Sequence, residues 1–135
     1  MSTHKIIIAS ALLLNAEKDL IVVRKQNSKF YMLPGGKVEG IESHMQTLIR
    51  ELQEELNLKF DESDFKYLGQ HETEAVNERN TIVQGNIFLL ENTLDALPTA
   101  HAELAEVRFI RKEEYMDFQL AHLLQEFAVP IWLKL

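Results

Sequence analysis

Apolar positions run almost unbroken from Ile6 to Leu14 and resume from Leu20 toward Arg24, both runs carrying β-branched residues. Such runs predict two strands, and the polar stretch Asn15-Ala16-Glu17-Lys18-Asp19 between them predicts a hairpin loop. After the short segment Phe30 to Leu33 comes Pro34-Gly35-Gly36, the strongest loop signal of the chain. The period then changes. Met45, Leu48, Ile49, Leu52 and Leu56 recur at helical spacing on an arc about 100° wide, enough to bury one face. Ser43 suits the N-cap of this helix, and Asn57 suits its end because asparagine tolerates the left-handed conformation, letting Leu58 fold back on the last turn. Phe65 to Val76 and Thr81 to Leu90 read as strands separated by Asn77-Glu78-Arg79-Asn80, with a shorter strand at Val107 to Ile110. Lys112 to Phe118 and Ala121 to Leu133 read as helix, interrupted near the end by Pro130.

The order strand, strand, helix, three strands, helix predicts an α/β fold in which a mixed sheet lies between helices. Residues 1–135 read as a single domain, without repeats, low-complexity tracts or linkers. The apolar N-terminal run and the C-terminal helix supply a two-faced core. Ala128 to Leu135 packs either on that sheet or on a second copy of the chain, as a homodimer.

Composition narrows the chemistry. The 135 residues, 46% hydrophobic and 26% charged, fit one globular core, and 14 Lys and Arg against 21 Asp and Glu give a net charge of −7. That balance repels a polyanionic duplex, so bulk nucleic acid is not the expected partner. A phosphate-bearing small molecule remains open if divalent cations bridge it to carboxylates. With no cysteine, disulfides, thiolate catalysis and cysteine-ligated metals are excluded. Lys5 followed by Ile6 to Leu14 superficially resembles a signal peptide, but Leu14 is too large for a small-x-small cleavage pattern, and a buried strand is favoured. The run is also too short to span a bilayer. A cytoplasmic protein without membrane contact is expected.

Glu51, Glu54 and Glu55 stand at i, i+3 and i+4 of the central helix, so three anions share one patch beside the apolar stripe. Glutamate-rich helix faces are usually just solvated. Like charges at this spacing destabilise a helix by a few tenths of a kcal/mol per pair, and a hard divalent cation relieves that repulsion.

The surroundings of the patch decide between these readings. Gly36 is followed after five residues by Glu42, and after seven more by Arg50-Glu51-Leu52-Gln53-Glu54-Glu55-Leu56-Asn57-Leu58. Together these positions resemble the Nudix box, and Leu33-Pro34-Gly35 resembles the family's lead-in. Two positions depart from the pattern: Asn57 stands where the box has glycine, and Ile41 where a glycine commonly precedes the glutamate. The first change is mild. The second requires the turn to be made differently, through Gly40. The resemblance implies the α/β/α Nudix sandwich and Mg²⁺-dependent hydrolysis, with Mn²⁺ as a substitute ion, of a nucleoside diphosphate linked to another group. It implies Glu51, Glu54, Glu55 and Gly36 at the metal, Gly35 and Gly36 at the phosphates, Arg50 orienting a box carboxylate, and Glu42 tying the loop to the helix or assisting the metal shell.

The family leaves the general base open. Glu54 is the first choice, with Glu103 and Glu106, just ahead of the Val107 strand, as alternatives. Arg24 reads either as a phosphate contact or as a surface cation. Phe30, Tyr31 and Phe88 could stack a base but are more often core, and Asn77 and Glu78 read as a turn before they read as part of a site. His4, His44, His71, His101 and His122 show no zinc spacing. The expected substrate is a nucleoside triphosphate, including damaged ones, converted to the monophosphate and pyrophosphate. A nucleoside diphosphate sugar such as ADP-ribose, a dinucleoside polyphosphate, or a catalytically silent nucleotide-binding module are the alternatives.

Overall fold

Strand β1 (His4–Leu12) runs through the centre of the computed structural model, which describes residues 4–135. Because successive strand residues point to opposite faces, Ile8, Leu12 and Leu14 pack on one side with Leu123, Leu124 and Trp132. Ala9, Ala11 and Leu13 pack on the other side with Leu48, Leu52 and Leu56. An unbroken apolar run is what a strand covered on both faces requires.

The main sheet has the order β3 (Gly35–Lys37), β1, β5 (Thr81–Leu90), β4 (Phe65–Glu74). β1 lies parallel to β5, and the other pairs are antiparallel, so the sheet is mixed as expected. A second sheet pairs β2 (Leu20–Lys25) with β6 (Leu104–Ile110) antiparallel. Helix α1 (His44–Leu56) covers one face and the C-terminal helical segment the other, which is the anticipated sandwich.

Four expectations about elements are corrected. The loop Asn15 to Asp19 does close on itself, with the Asp19 N–H donating to Asn15 Oδ1 at 2.9 Å. The hairpin nevertheless ends at the Leu14–Leu20 bridge, because both edges of β1 are taken by β3 and β5, and β2 passes to another sheet. Gly35 and Gly36 form not a free loop but strand β3, paired with β1 through Ala9–Gly36 and Ser10–Gly35. A Cβ on Gly35, whose φ is +144°, would stand 2.1 Å from the Ala9 carbonyl oxygen, so glycine here serves close approach between strands. Lys112 to Phe118 is a turn followed by a 3₁₀ turn at Tyr115–Asp117; the Glu114 side chain accepts the Arg111 N–H at 2.8 Å, stabilising the turn in place of a helix. The final helix begins at His122 and contains a π turn, Leu124–Ala128, before α2 (Val129–Trp132). Pro130 has no N–H to donate and its ring crowds the carbonyl four residues back, and the wider turn preceding it accommodates both.

The C-terminal segment packs on its own chain: Ala128 and Trp132 are fully buried, and the indole N–H donates to the Lys18 carbonyl at 2.7 Å. Among the described residues no helix is long and apolar enough to cross a membrane.

Candidate active site

Helix α1 begins in a fixed register because Ser43 Oγ accepts the Gln46 N–H at 3.1 Å while Gln46 Oε1 accepts the Ser43 N–H at 2.8 Å. It ends where Asn57 turns left-handed at φ 55° and its N–H reaches the Gln53 carbonyl at 3.0 Å. Between these caps, burial of Leu48, Leu52 and Leu56 rotates Glu51 and Glu55 inward against β3 and leaves Glu54 toward solvent.

Glu55 is 2% exposed, and its Oε1 accepts the Gly35 N–H at 3.3 Å. Among the described residues no lysine or arginine pairs with it. Burial pushes its carboxyl up to about 8, the Gly35 hydrogen bond opposing and the Glu51 charge reinforcing that shift. Glu51 is also raised, first by burial, with the charges of Glu54 and Glu103 adding to it. Its side chain occupies the space where a Gly36 Cβ would stand, only 2.3 Å from the carboxyl carbon. Gly36 thus admits the Glu51 side chain to the strand edge, while Gly35 holds Glu55 there through its N–H.

Arg50 organises the outer side. Its Nε and Nη2 donate to the two oxygens of Glu42 at 2.7 and 3.0 Å, a bidentate pair. Its Nη1 donates to Glu51 Oε1 at 3.3 Å and Glu54 Oε2 at 3.4 Å, and Nη2 to the Lys37 carbonyl at 3.2 Å. The Arg50 guanidinium, with the Thr47 hydroxyl and the Glu39 N–H, holds Glu42 down at about 2. Glu42 therefore ties the loop to the helix. The turn preceding it is made by Gly40 at φ +53°, leaving Ile41 wholly exposed and free of positive φ.

Among the described residues no three His, Asp or Glu side chains converge closely enough to hold an ion as they stand, Glu54 being drawn outward to Arg50. The donor set nevertheless suits a hard cation. The buried Glu55 lies beside the partly buried Glu51 and has no cationic partner among the described residues, and a buried charge of that kind is tolerated only when it is protonated or neutralised.

The loop before β6 brings a further carboxylate to this patch. The His101 N–H donates to the Glu55 carbonyl at 2.8 Å and the Gln26 N–H to the Glu103 carbonyl at 2.9 Å, and the Glu103 charge is felt by both Glu51 and Glu55. Glu106 lies not ahead of the strand, as expected, but inside β6, and its carboxylate is taken by Arg24 Nε at 3.2 Å, the Tyr31 hydroxyl at 2.9 Å and Arg108 at 3.6 Å. Arg24 is fixed by the same pair and by the Ser28 carbonyl at 3.0 Å. Phe88 is buried in the core beneath α1, and Tyr31 packs edge-on against Phe118.

A cavity of about 150 Å³ opens beside Gly35 and Gly36, on the face of β1 opposite α1. Ile6, Ile8 and Leu123 give it apolar walls, and Asn77, Glu78 and His122 polar ones. Asn77 and Glu78 thus both form the turn and border the site, pinned by Asn77 Nδ2 to Ser28 Oγ at 3.2 Å. Lys25 and Lys37 line the same cavity and were not singled out from sequence; the direct succession of Lys37 upon Gly35-Gly36 was the available signal.

The NUDIX domain family matches residues 4–129. No curated protein matches the chain in sequence. Among solved structures, the MutT protein from Methanosarcina mazei Go1 is similar at 22% identity and a TM-score of 0.78, over 99% of this chain and 96% of that one. The MutT NUDIX hydrolase from Burkholderia pseudomallei is similar at 16% identity and a TM-score of 0.72, over 97% of each chain. A bifunctional NMN adenylyltransferase/ADP ribose pyrophosphatase from Francisella tularensis, complexed with AMP and a Mn ion, is similar at 20% identity and a TM-score of 0.68, over 96% of this chain and 42% of that one.

Proposed function

The chain belongs to the Nudix family of pyrophosphohydrolases, and from that premise we propose that it hydrolyses a nucleoside triphosphate, standard or damaged, to the monophosphate and pyrophosphate with a bound Mg²⁺. The observation that carries this reading is the buried Glu55 and the partly buried Glu51, both set against the Gly35–Gly36 edge beside a cavity with apolar walls. A cavity of about 150 Å³ with both apolar and polar walls has room for a six-membered aromatic ring with polar edges, which suits a nucleobase.

Glu51, Glu55 and Glu54, with the Gly36 backbone, are the groups that would hold the cation. When bound, a divalent cation neutralises phosphate oxygens and lowers the pKa of a coordinated water. Burial favours the protonated form of the Glu55 carboxyl, so a cation held there would displace a proton. Gly35 and Gly36 line the cavity on one side and meet Glu55 and Glu51 on the other, so a phosphate chain reaching from the cavity to the carboxylates would pass along their backbone. Arg50 holds Glu51 beside the firmly paired Glu42, while Glu54, now turned toward Arg50, would swing inward to complete the set. Glu54, exposed and loosely held, is assigned as general base, and Glu103 is the alternative. Glu106, saturated by Arg24, Tyr31 and Arg108, is set aside.

Purified protein with Mg²⁺ and a panel of nucleoside triphosphates, nucleotide sugars and dinucleoside polyphosphates, with products identified by mass, tests the reading. Pyrophosphate release from a triphosphate is expected. Release of nucleoside monophosphate and a sugar phosphate instead would move the chain to the ADP-ribose type of substrate, and inactivity throughout would sink the enzyme reading. Glu54→Gln should lower kcat by about 10²- to 10⁴-fold, and Glu103→Gln by much less, if Glu54 is the base.

A further inference from the structure

Arg24 and Lys25 are consecutive, yet they meet different surroundings because the register of β2 against β6 shifts between them. Arg24 is fixed by Glu106 and the Ser28 carbonyl. Lys25 is half-buried and lines the cavity beside Gly35 and Gly36. Among the described residues no carboxylate lies within ion-pair distance of it. The glycines that share this cavity touch the glutamates, the Gly35 N–H donating to Glu55 Oε1 at 3.3 Å and Glu51 filling the place of a Gly36 Cβ. Lys25 therefore stands at the passage between the cavity and the glutamate face of α1, which lie on opposite sides of β1.

We propose that Lys25 binds the phosphate chain of the substrate where it runs from the cavity to the carboxylates of α1, and that Arg24 serves only to hold β2 to β6. This rests on the nucleotide reading above and deepens it by assigning the anion-binding side chain. A half-buried cation without an anionic partner has lost hydration that a bound anion restores. A lysine suits the place because its ammonium is a compact, rotatable donor that can follow a phosphate as the chain seats, whereas the guanidinium of Arg24 is already locked in plane. The same position gives the acidic patch a counter-charge against which a polyanion can approach. The recognised chemistry is a di- or triphosphate ester of a nucleoside. An uncharged nucleoside fits the cavity without needing Lys25.

Lys25→Gln, Lys25→Arg and Arg24→Gln test this with the best nucleotide of the panel, its α,β-methylene analogue and its parent nucleoside. Lys25→Gln should raise KM and the Kd of the analogue about ten- to hundredfold, the size of one hydrogen bond to a charged group, while nucleoside affinity stays within about twofold. Lys25→Arg should recover most of the loss. Arg24→Gln should leave KM within about twofold and lower the melting temperature instead. An unchanged KM and analogue Kd in a folded Lys25→Gln protein would overturn the assignment, as would equal weakening of nucleoside and nucleotide. A wild-type protein that binds and turns over no nucleotide overturns the function reading, and this assignment with it.

Discussion

Glu55 is the residue whose state depends most on what surrounds it. Its folded pKa of about 8 lies above the ordinary 4.5, so the stability linked to its proton is whole below about pH 4.5 and drains away as the pH rises through about 8. Metal-free protein should therefore lose a few kcal/mol across that window, read by denaturant midpoints at several pH values. Glu55→Gln should abolish that slope, leave the metal-free protein more stable above pH 8, and lose Mg²⁺-dependent turnover. Gly36→Ala probes the same spot sterically. A methyl group 2.3 Å from the Glu51 carboxyl carbon must displace that side chain, so turnover should fall with a destabilisation of about 1–3 kcal/mol, seen together in kinetics and thermal melts. Gly40→Ala meets no neighbour within 4 Å and only its φ of +53° resists, so it should cost about 1 kcal/mol and leave kcat intact.

At the scale of the element, the register of α1 is set by its ends. Ser43→Ala removes one half of a reciprocal cap and should cost about 1 kcal/mol in a thermal melt. The loop ahead of the helix depends on the Glu42–Arg50 pair, and Glu42 is held at about 2, below its ordinary 4.5. Its contribution is therefore present above about pH 4.5 and lost as the pH falls toward 2, so Glu42→Gln should be less stable than wild type at neutral pH and converge with it in acid. Both caps of α1 were legible in the sequence because capping is local, made within three or four residues. The π turn before Pro130 and the 3₁₀ turn at Tyr115–Asp117 were not, since the Pro130 ring and the Glu114 side chain on the Arg111 N–H alter the hydrogen bonding without altering the apolar spacing that signals a helix.

For the whole molecule, two cores on either side of β1 hold the glutamate helix and the cavity in fixed relation. Trp132→Ala empties a fully buried site and breaks a hydrogen bond 114 residues distant in the chain, and should cost about 3–5 kcal/mol, measured by denaturant unfolding. The sequence by itself determined the sandwich, since the apolar run of β1 can be satisfied only by cover on both faces, and it determined the three glutamates, because their spacing and the register of α1 are properties of a single helix. Only the tertiary structure decided which cation lies beside the glycines, which of Glu103 and Glu106 is near the patch, and that Gly35 and Gly36 form a strand edge. Those outcomes depend on a register shift in β2, on the pairing of β2 with β6 some 80 residues away, and on both edges of β1 being occupied. Hydrogen-bond partners so far apart leave no periodicity for a local reading to detect.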